Sequence, residues 1–112
     1  MPSEQDAPSD PPIISSFADD PDMVEIVEYF VGELPKRVRA IREAASARDS
    51  ASLTTLAHQL KGAAPGYGFE SIGEAAGRLE ARLRADEPIE SVRSQIEDLA
   101  SLCERASGRR AA

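Results

Sequence analysis

His58 is the only histidine of this 112-residue sequence, and its neighbours are residue types that favour chemistry at an exposed ring. On a helix that advances about 100° per residue, His58, Lys61 and Gly62 share one face. The opposite face is apolar and contains Leu53, Leu56, Leu60, Ala63 and Tyr67, with Ala57 and Ala64 on its flank. The spacing therefore predicts an exposed imidazole with a cation and a glycine one turn away.

An exposed imidazole beside an ammonium group suits the transfer of a phosphoryl group. Lys61 would supply positive charge next to the transferred group. A glycine inside a helix costs roughly 0.5–1 kcal/mol relative to alanine, and core packing gives no reason for one on the bare side. Gly62 therefore predicts a surface kept open for a bulky donor. A lone surface histidine is more often an inert solvated side chain, but the lysine and glycine together favour phosphoryl transfer.

The sequence supplies too few suitable residues for other kinds of functional site. One histidine and one cysteine on separate helical stripes cannot supply the ligands of a metal site. Cys103 belongs to an apolar stripe, which predicts a buried small side chain that does not face His58. The glycines Gly62, Gly66 and Gly68 match no nucleotide-binding spacing. We expect no resident metal or cofactor, no ATP site and no kinase activity.

The charge of the chain is uneven and acidic overall. Residues 1–35 carry nine Asp and Glu and no Lys or Arg, and the formal net charge is −7. This balance argues against a nucleic acid as the partner. The sequence has no apolar run that could span a membrane, no secretory signal and a single cysteine, so we expect a cytoplasmic protein. Nothing in it favours more than a monomer.

Helix-forming composition and 3.6-residue periodicity predict an all-α fold. We expect a flexible, acidic and proline-rich leader over residues 1–16, in which Ile13 and Ile14 could pack onto the bundle, a helical bundle over 17–107 and a frayed tail over 108–112. Asp20 or Asp22 can cap the first helix. Pro35 interrupts the apolar stripe and either kinks one long helix or opens a second one; we favour a short first helix that leads into a longer one ending near Arg48.

Helix-capping residues and prolines divide the rest of the chain into helices. Asp49 or Ser50 can cap the helix that carries His58, and Pro65 must stop or kink that helix. A capping box predicts the next helix start at Ser71, with an earlier start near Phe69 as the alternative. Pro88 suits the first turn of the last helix. No strand pattern is present, so we predict an antiparallel up-down-up-down four-helix bundle with a short extra N-terminal helix.

The segment His58–Ala64, with Gly68 ten residues after the histidine, resembles the histidine-containing phosphotransfer (Hpt) domains of bacterial two-component phosphorelays. Gly66–Phe69 is also similar to the related phosphorylatable domain of chemotaxis histidine kinases. The similarity covers about residues 53–83, and the helix order over residues 20–106 agrees with the bundle of that family. Such domains are phosphoryl carriers that work with response-regulator receiver domains and hybrid histidine kinases.

The resemblance implies a role for four residues. His58 would carry the phosphoryl group on Nε2, Lys61 would lie near it, and Gly62 would leave room for the partner. Glu80, twenty-two residues after the histidine, would bond to the other ring nitrogen, although it could also be an ordinary surface glutamate. Pro65 departs from the family, whose helix usually continues there.

The resemblance also leaves alternatives for the function. Any divalent metal would belong to the receiver partner and not to this chain. The donor could instead be the catalytic domain of a kinase to which this domain is attached. The chain could also be a helical module that binds a receiver without chemistry.

Overall fold

A computed structural model describes residues 11–109, which form four α-helices. The helices are α1 (Val24–Ser46), α2 (Ser50–Ala63), α3 (Glu70–Arg84) and α4 (Arg93–Arg105). Two short 3-10 helices, Ala64–Tyr67 and Ile89–Val92, precede α3 and α4. The all-α prediction is confirmed, apart from one pair of two-residue strands. Residues 1–10 and 110–112, which belong to the predicted leader and tail, lie outside the described residues.

A single apolar core lies between the four helices. The fully or almost fully buried side chains recur every three or four residues, as an amphipathic helix requires. They include Val27, Phe30, Leu34, Val38 and Ile41 of α1, Leu53 and Leu60 of α2, Ile72, Leu79 and Leu83 of α3, and Ile96 and Leu99 of α4. Burial of each large aliphatic side chain contributes roughly 1.5–3 kcal/mol, so this core holds the helices in fixed positions.

The favoured break near Pro35 was wrong, because α1 is one helix of 23 residues with Pro35 inside it, which is the other alternative. A proline in a helix interior removes one hydrogen bond and costs about 3 kcal/mol. Leu34 and Val38, one turn apart on either side of it, are both buried. Their burial offsets that cost and keeps the helix continuous. The separate short first helix is therefore absent from the described residues.

The predicted cap of α1 was also wrong. The helix begins at Val24, and Met23 at the N-cap makes no side-chain hydrogen bond. Asp20 instead accepts a hydrogen bond from the Asp22 N–H at 2.9 Å, which closes a turn before the helix. A short polar side chain such as that of Asp20 can either cap a helix or close a turn, and here it closes the turn.

The absence of strands was the third incorrect prediction. Ile13–Ile14 (β1) pairs in parallel with Ala106–Ser107 (β2). The Ser15 side chain is buried next to this pair, and its hydroxyl donates to the Tyr67 carbonyl at 2.7 Å. Two-residue strands are too short to show an alternating pattern in a sequence. The end of the predicted leader therefore joins the packed part of the chain, and Ile13 packs against the core as the sequence allowed.

The turn after α2 follows the prediction from Pro65. The α-helix ends at Ala63, and the 3-10 turn ends at Gly68, whose φ is 87°. A Cβ on Gly73 would lie 2.6 Å from Pro65 Cγ, so this glycine lets the turn pack closely against α3. The α2 helix stays regular at His58, because Pro65 comes after its last residue.

The start signals of the last two helices gave mixed results. The α3 helix begins at Glu70 with Phe69 at its N-cap, which is the earlier of the two predicted starts. Pro88 precedes the 3-10 turn, and α4 begins only at Arg93. No helix among residues 11–109 combines the length and the apolar character that crossing a bilayer requires.

Candidate functional site

The helix that carries His58 is fixed at its start by a side-chain cap. Asp49 accepts a hydrogen bond from the Ser52 N–H at 3.0 Å, a type of cap that contributes about 1 kcal/mol. Leu53, Ala57, Leu60 and Ala64 are fully buried, whereas Leu56, Ala63 and Tyr67 are only partly buried. The core face is therefore rotated towards the alanines that were predicted to flank it.

This packing leaves the imidazole outside the core. The His58 side chain is 61% exposed, as predicted from the helical period. Its Nδ1 lies 2.9 Å from Oε2 of Glu80, and the Glu80 side chain is only 5% exposed. An ionised carboxylate only accepts hydrogen bonds, so Nδ1 carries the proton in this pair. The neutral ring then has its lone pair on Nε2, where it can act as a nucleophile.

Lys61 joins the same carboxylate from the other side. Its Nζ lies 3.4 Å from Oε1 of Glu80, and its side chain is 55% exposed. The methylene stem of Lys61 runs over Gly77, where an added Cβ would lie 3.5 Å from Lys61 Cδ. Gly77 was missed in the sequence, although its position one helical turn after Gly73 marks a second glycine on the same face of α3.

Arg84 was also missed, and it makes the shortest contacts with Glu80. Its Nε lies 2.8 Å and its Nη2 2.7 Å from Oε2, the oxygen that His58 also uses. The Arg84 guanidinium lowers the pKa of Glu80 to about 2; burial raises it, and the hydrogen bond from His58 and the nearby charge of Lys61 lower it further. Glu80 is therefore ionised at neutral pH. The four-residue spacing of a glutamate and an arginine on one helix could have revealed this pair.

The backbone at Gly62 is open. A Cβ built there would have no neighbour within 4 Å. The glycine is thus not required by packing, as the sequence indicated. At Gly62 itself, the surface of the helix is therefore open to solvent.

Other reactive groups do not converge on this site. Cys103 is buried in the core, and burial raises the pKa of its thiol to about 12. Among residues 11–109, no group of three or more His, Cys, Asp and Glu side chains could hold a metal ion. In the described part of the chain, His58 is therefore the group best placed to act as a nucleophile.

A family model identifies the kind of domain to which this geometry belongs. The model described as the Hpt domain matches residues 25–109, which include all four helices except the first residue of α1. This chain belongs to the Hpt family. Hpt domains are phosphotransfer carriers and not kinases, and they interact with receiver domains in phosphorelays.

A solved structure has the same fold as this Hpt domain. It is the Hpt domain from an Hpt sensor hybrid histidine kinase of Shewanella, and it superposes with a TM-score of 0.67. The two sequences are 23% identical, and the match covers 72% of this chain and 69% of that one. No curated protein matches the chain. The similarity in structure supports the helical fold, and the family model supports the function in a phosphorelay.

Proposed function

We propose that this Hpt domain carries the phosphoryl group on Nε2 of His58. It accepts the group from the aspartyl phosphate of one receiver domain and passes it to the aspartate of another. One observation supports this assignment above the others: an imidazole that is 61% exposed is held at Nδ1 by a buried carboxylate. This arrangement fixes the tautomer while it leaves Nε2 directed towards a partner.

In the transfer step, the bond that forms and the bond that breaks both belong to the two domains. The Nε2 lone pair forms the bond to phosphorus as the bond between phosphorus and the aspartyl oxygen breaks. The receiver carboxylate leaves with that electron pair. The ring retains its Nδ1 proton and gains positive charge, which the Glu80 carboxylate faces at 2.9 Å. Onward transfer is the reverse of this step on a second receiver.

Lys61 and Gly62 have supporting roles in this proposal. The Lys61 ammonium is within ion-pair distance of Glu80 and half exposed, so it can turn towards the phosphoryl oxygens. Gly62 gives a receiver close access to the ring. The divalent metal that stabilises phosphoryl transfer would belong to the acidic pocket of the receiver. The Hpt domain would hold no cofactor itself.

The remaining expectations about the molecule are part of the same proposal. We place the domain in the cytoplasm as a monomer, and we assign its four helices the antiparallel up-down-up-down order. Binding of each receiver would be transient, because a carrier must release its partner after every transfer. Electrostatic attraction at the rim of a small interface suits such exchange.

Incubation with a phosphorylated receiver, with a histidine kinase core in a parallel reaction, tests this function. We expect fast uptake from the receiver of phosphate that is labile in acid and stable in base. Uptake from the kinase core alone would instead favour a domain that serves an attached kinase. If no competent donor phosphorylates the wild-type domain, the chain is a receiver-binding module without chemistry.

Replacement of Glu80 by alanine is expected to slow phosphorylation about tenfold or more, since the ring loses the acceptor that orients it. Glu80→Gln keeps an oxygen that can accept a hydrogen bond from the Nδ1–H group and should retain most of the rate. The initial rate of phosphate uptake is measured for both variants, and circular dichroism shows whether they are folded. Equal rates for Glu80→Ala and the wild type would exclude an orienting role.

Substitutions at Gly62 separate access from stability. Gly62→Ala should raise the free energy of unfolding by up to about 1 kcal/mol and leave transfer unchanged, because its Cβ meets no neighbour. Gly62→Leu should fold but accept phosphate more slowly, because its side chain stands in the path of the receiver. Urea denaturation and transfer rates give the two quantities. Unimpaired transfer by Gly62→Leu would refute the access role.

A further inference from the structure

Two donors compete for one oxygen of the Glu80 carboxylate. His58 Nδ1 and Arg84 Nε lie 2.9 Å and 2.8 Å from Oε2, and Arg84 Nη2 lies 2.7 Å from the same atom. The other oxygen, Oε1, is buried without a hydrogen bond from the described residues and has the Lys61 ammonium at 3.4 Å. The carboxylate is thus bonded more strongly to arginine than to the imidazole.

The competition affects the charge of the ring. A bare carboxylate next to an imidazole stabilises the protonated form, and the imidazolium has no lone pair on Nε2. A guanidinium on the same oxygen offsets that negative charge while it leaves the geometry of the hydrogen bond intact. It also restrains the carboxylate, because Arg84 is anchored one turn further along the same helix.

The charged groups around the ring come from two helices. Lys61 belongs to α2, and Glu80 and Arg84 belong to α3. Asp86, two residues after the end of α3, lines the same surface depression as Arg84. Among residues 11–109, no charged side chain of α1 or α4 forms an ion pair with His58, Lys61, Glu80 or Arg84. Arg84 is therefore the cation whose removal changes the carboxylate most.

We infer that Arg84 is a positioning residue for phosphotransfer: it holds the Glu80 carboxylate at Nδ1 of His58 and offsets its charge, so that the ring stays neutral and nucleophilic. This inference rests on the proposed function, since it concerns the same reaction. Arg84 acts through Glu80 and needs no contact with the phosphoryl group.

The test compares Arg84→Ala and Arg84→Lys with Arg78→Ala as a matched control. Arg78 lies on the same helix, is exposed, and points away from Glu80 because the two residues are two positions apart. Initial rates of transfer from a phosphorylated receiver are measured from pH 5.5 to 8.5. The titration of the imidazole is followed separately by NMR, without any partner.

Loss of the guanidinium should move the acidic limb of the Arg84→Ala rate profile, and the midpoint of the NMR titration, up by about one pH unit. The rate loss should then be about tenfold below that limb and smaller above it, where only the lost restraint on the carboxylate remains. Arg84→Lys should restore part of the shift, and Arg78→Ala should match the wild type. The double variant with Glu80→Ala should transfer at the rate of Glu80→Ala alone.

An unmoved titration in Arg84→Ala would overturn the inference, and so would a rate loss of the same size at every pH, which is the result expected of a direct phosphate contact. Failure of the proposed function itself looks different. In that case the wild-type domain takes up no phosphate, while the NMR titration still reports whether Arg84 controls the ring.

Discussion

Replacement of His58 by glutamine is expected to yield a folded domain that accepts no phosphoryl group from any receiver. The amide side chain has similar size and polarity but no nucleophilic nitrogen. The wild-type side chain is 61% exposed, and the glutamine amide can donate to Glu80 in place of Nδ1, so the free energy of unfolding should change by no more than about 1 kcal/mol. Transfer of labelled phosphate from a phosphorylated receiver, followed on a gel, measures the loss.

A neighbouring substitution provides the control for His58→Gln. Gln59 is exposed on the same turn of α2, and Gln59→Ala should accept phosphate at close to the wild-type rate. If His58→Gln still becomes labelled, the phosphoryl group resides on another residue and the site has been assigned incorrectly. An unfolded His58→Gln variant, detected by circular dichroism, would mean that the ring has a structural role.

Substitution of Gly68 by alanine is expected to lower the free energy of unfolding by about 3 kcal/mol. A φ of 87° costs an L-residue about 1–2 kcal/mol, because the Cβ approaches the following backbone. The new Cβ would also lie 2.7 Å from the Ser16 backbone nitrogen, and relief of such a contact costs roughly 1–3 kcal/mol. The Ser16 N–H, which donates to the Gly68 carbonyl at 3.0 Å, would have to move away.

Gly66 is the matched control for this effect, two residues earlier in the same turn. A Cβ on Gly66 would have no neighbour within 4 Å, and its φ is not positive. Gly66→Ala should therefore change the free energy of unfolding by no more than about 0.5 kcal/mol. Urea denaturation, with the slope compared between variants, measures both. Equal stabilities for the two variants would show that the N-terminal segment does not constrain the turn.

The helical period was sufficient to predict the exposed face of α2. Leu53 and Leu60 had to be buried together, and that requirement placed His58 in solvent. Glu80 was selected because a known family has a residue of this kind twenty-two positions after the histidine, and not because of its surroundings. Its burial could not be predicted, because an isolated glutamate is usually exposed and only the partners His58, Lys61 and Arg84 make its burial tolerable.

Contacts between distant parts of the chain account for most of what the sequence did not indicate. The β1–β2 pair joins residues more than ninety positions apart, so no local pattern marks it. The continuity of α1 through Pro35 depends on the core that buries Leu34 and Val38, which outweighs a local preference. The four-residue spacing of Glu80 and Arg84 could have been noticed in the sequence. Only the three-dimensional structure shows that Arg84 and His58 share one oxygen of Glu80.

The position of the phosphoryl group on the ring tests the central claim most directly. Two-dimensional ¹H–¹⁵N NMR of the phosphorylated domain distinguishes phosphorus on Nε2 from phosphorus on Nδ1. We predict a single phosphohistidine at His58, with phosphorus on Nε2 and a proton on Nδ1. Phosphorus on Nδ1 would contradict the account, since that nitrogen could not then donate to Glu80.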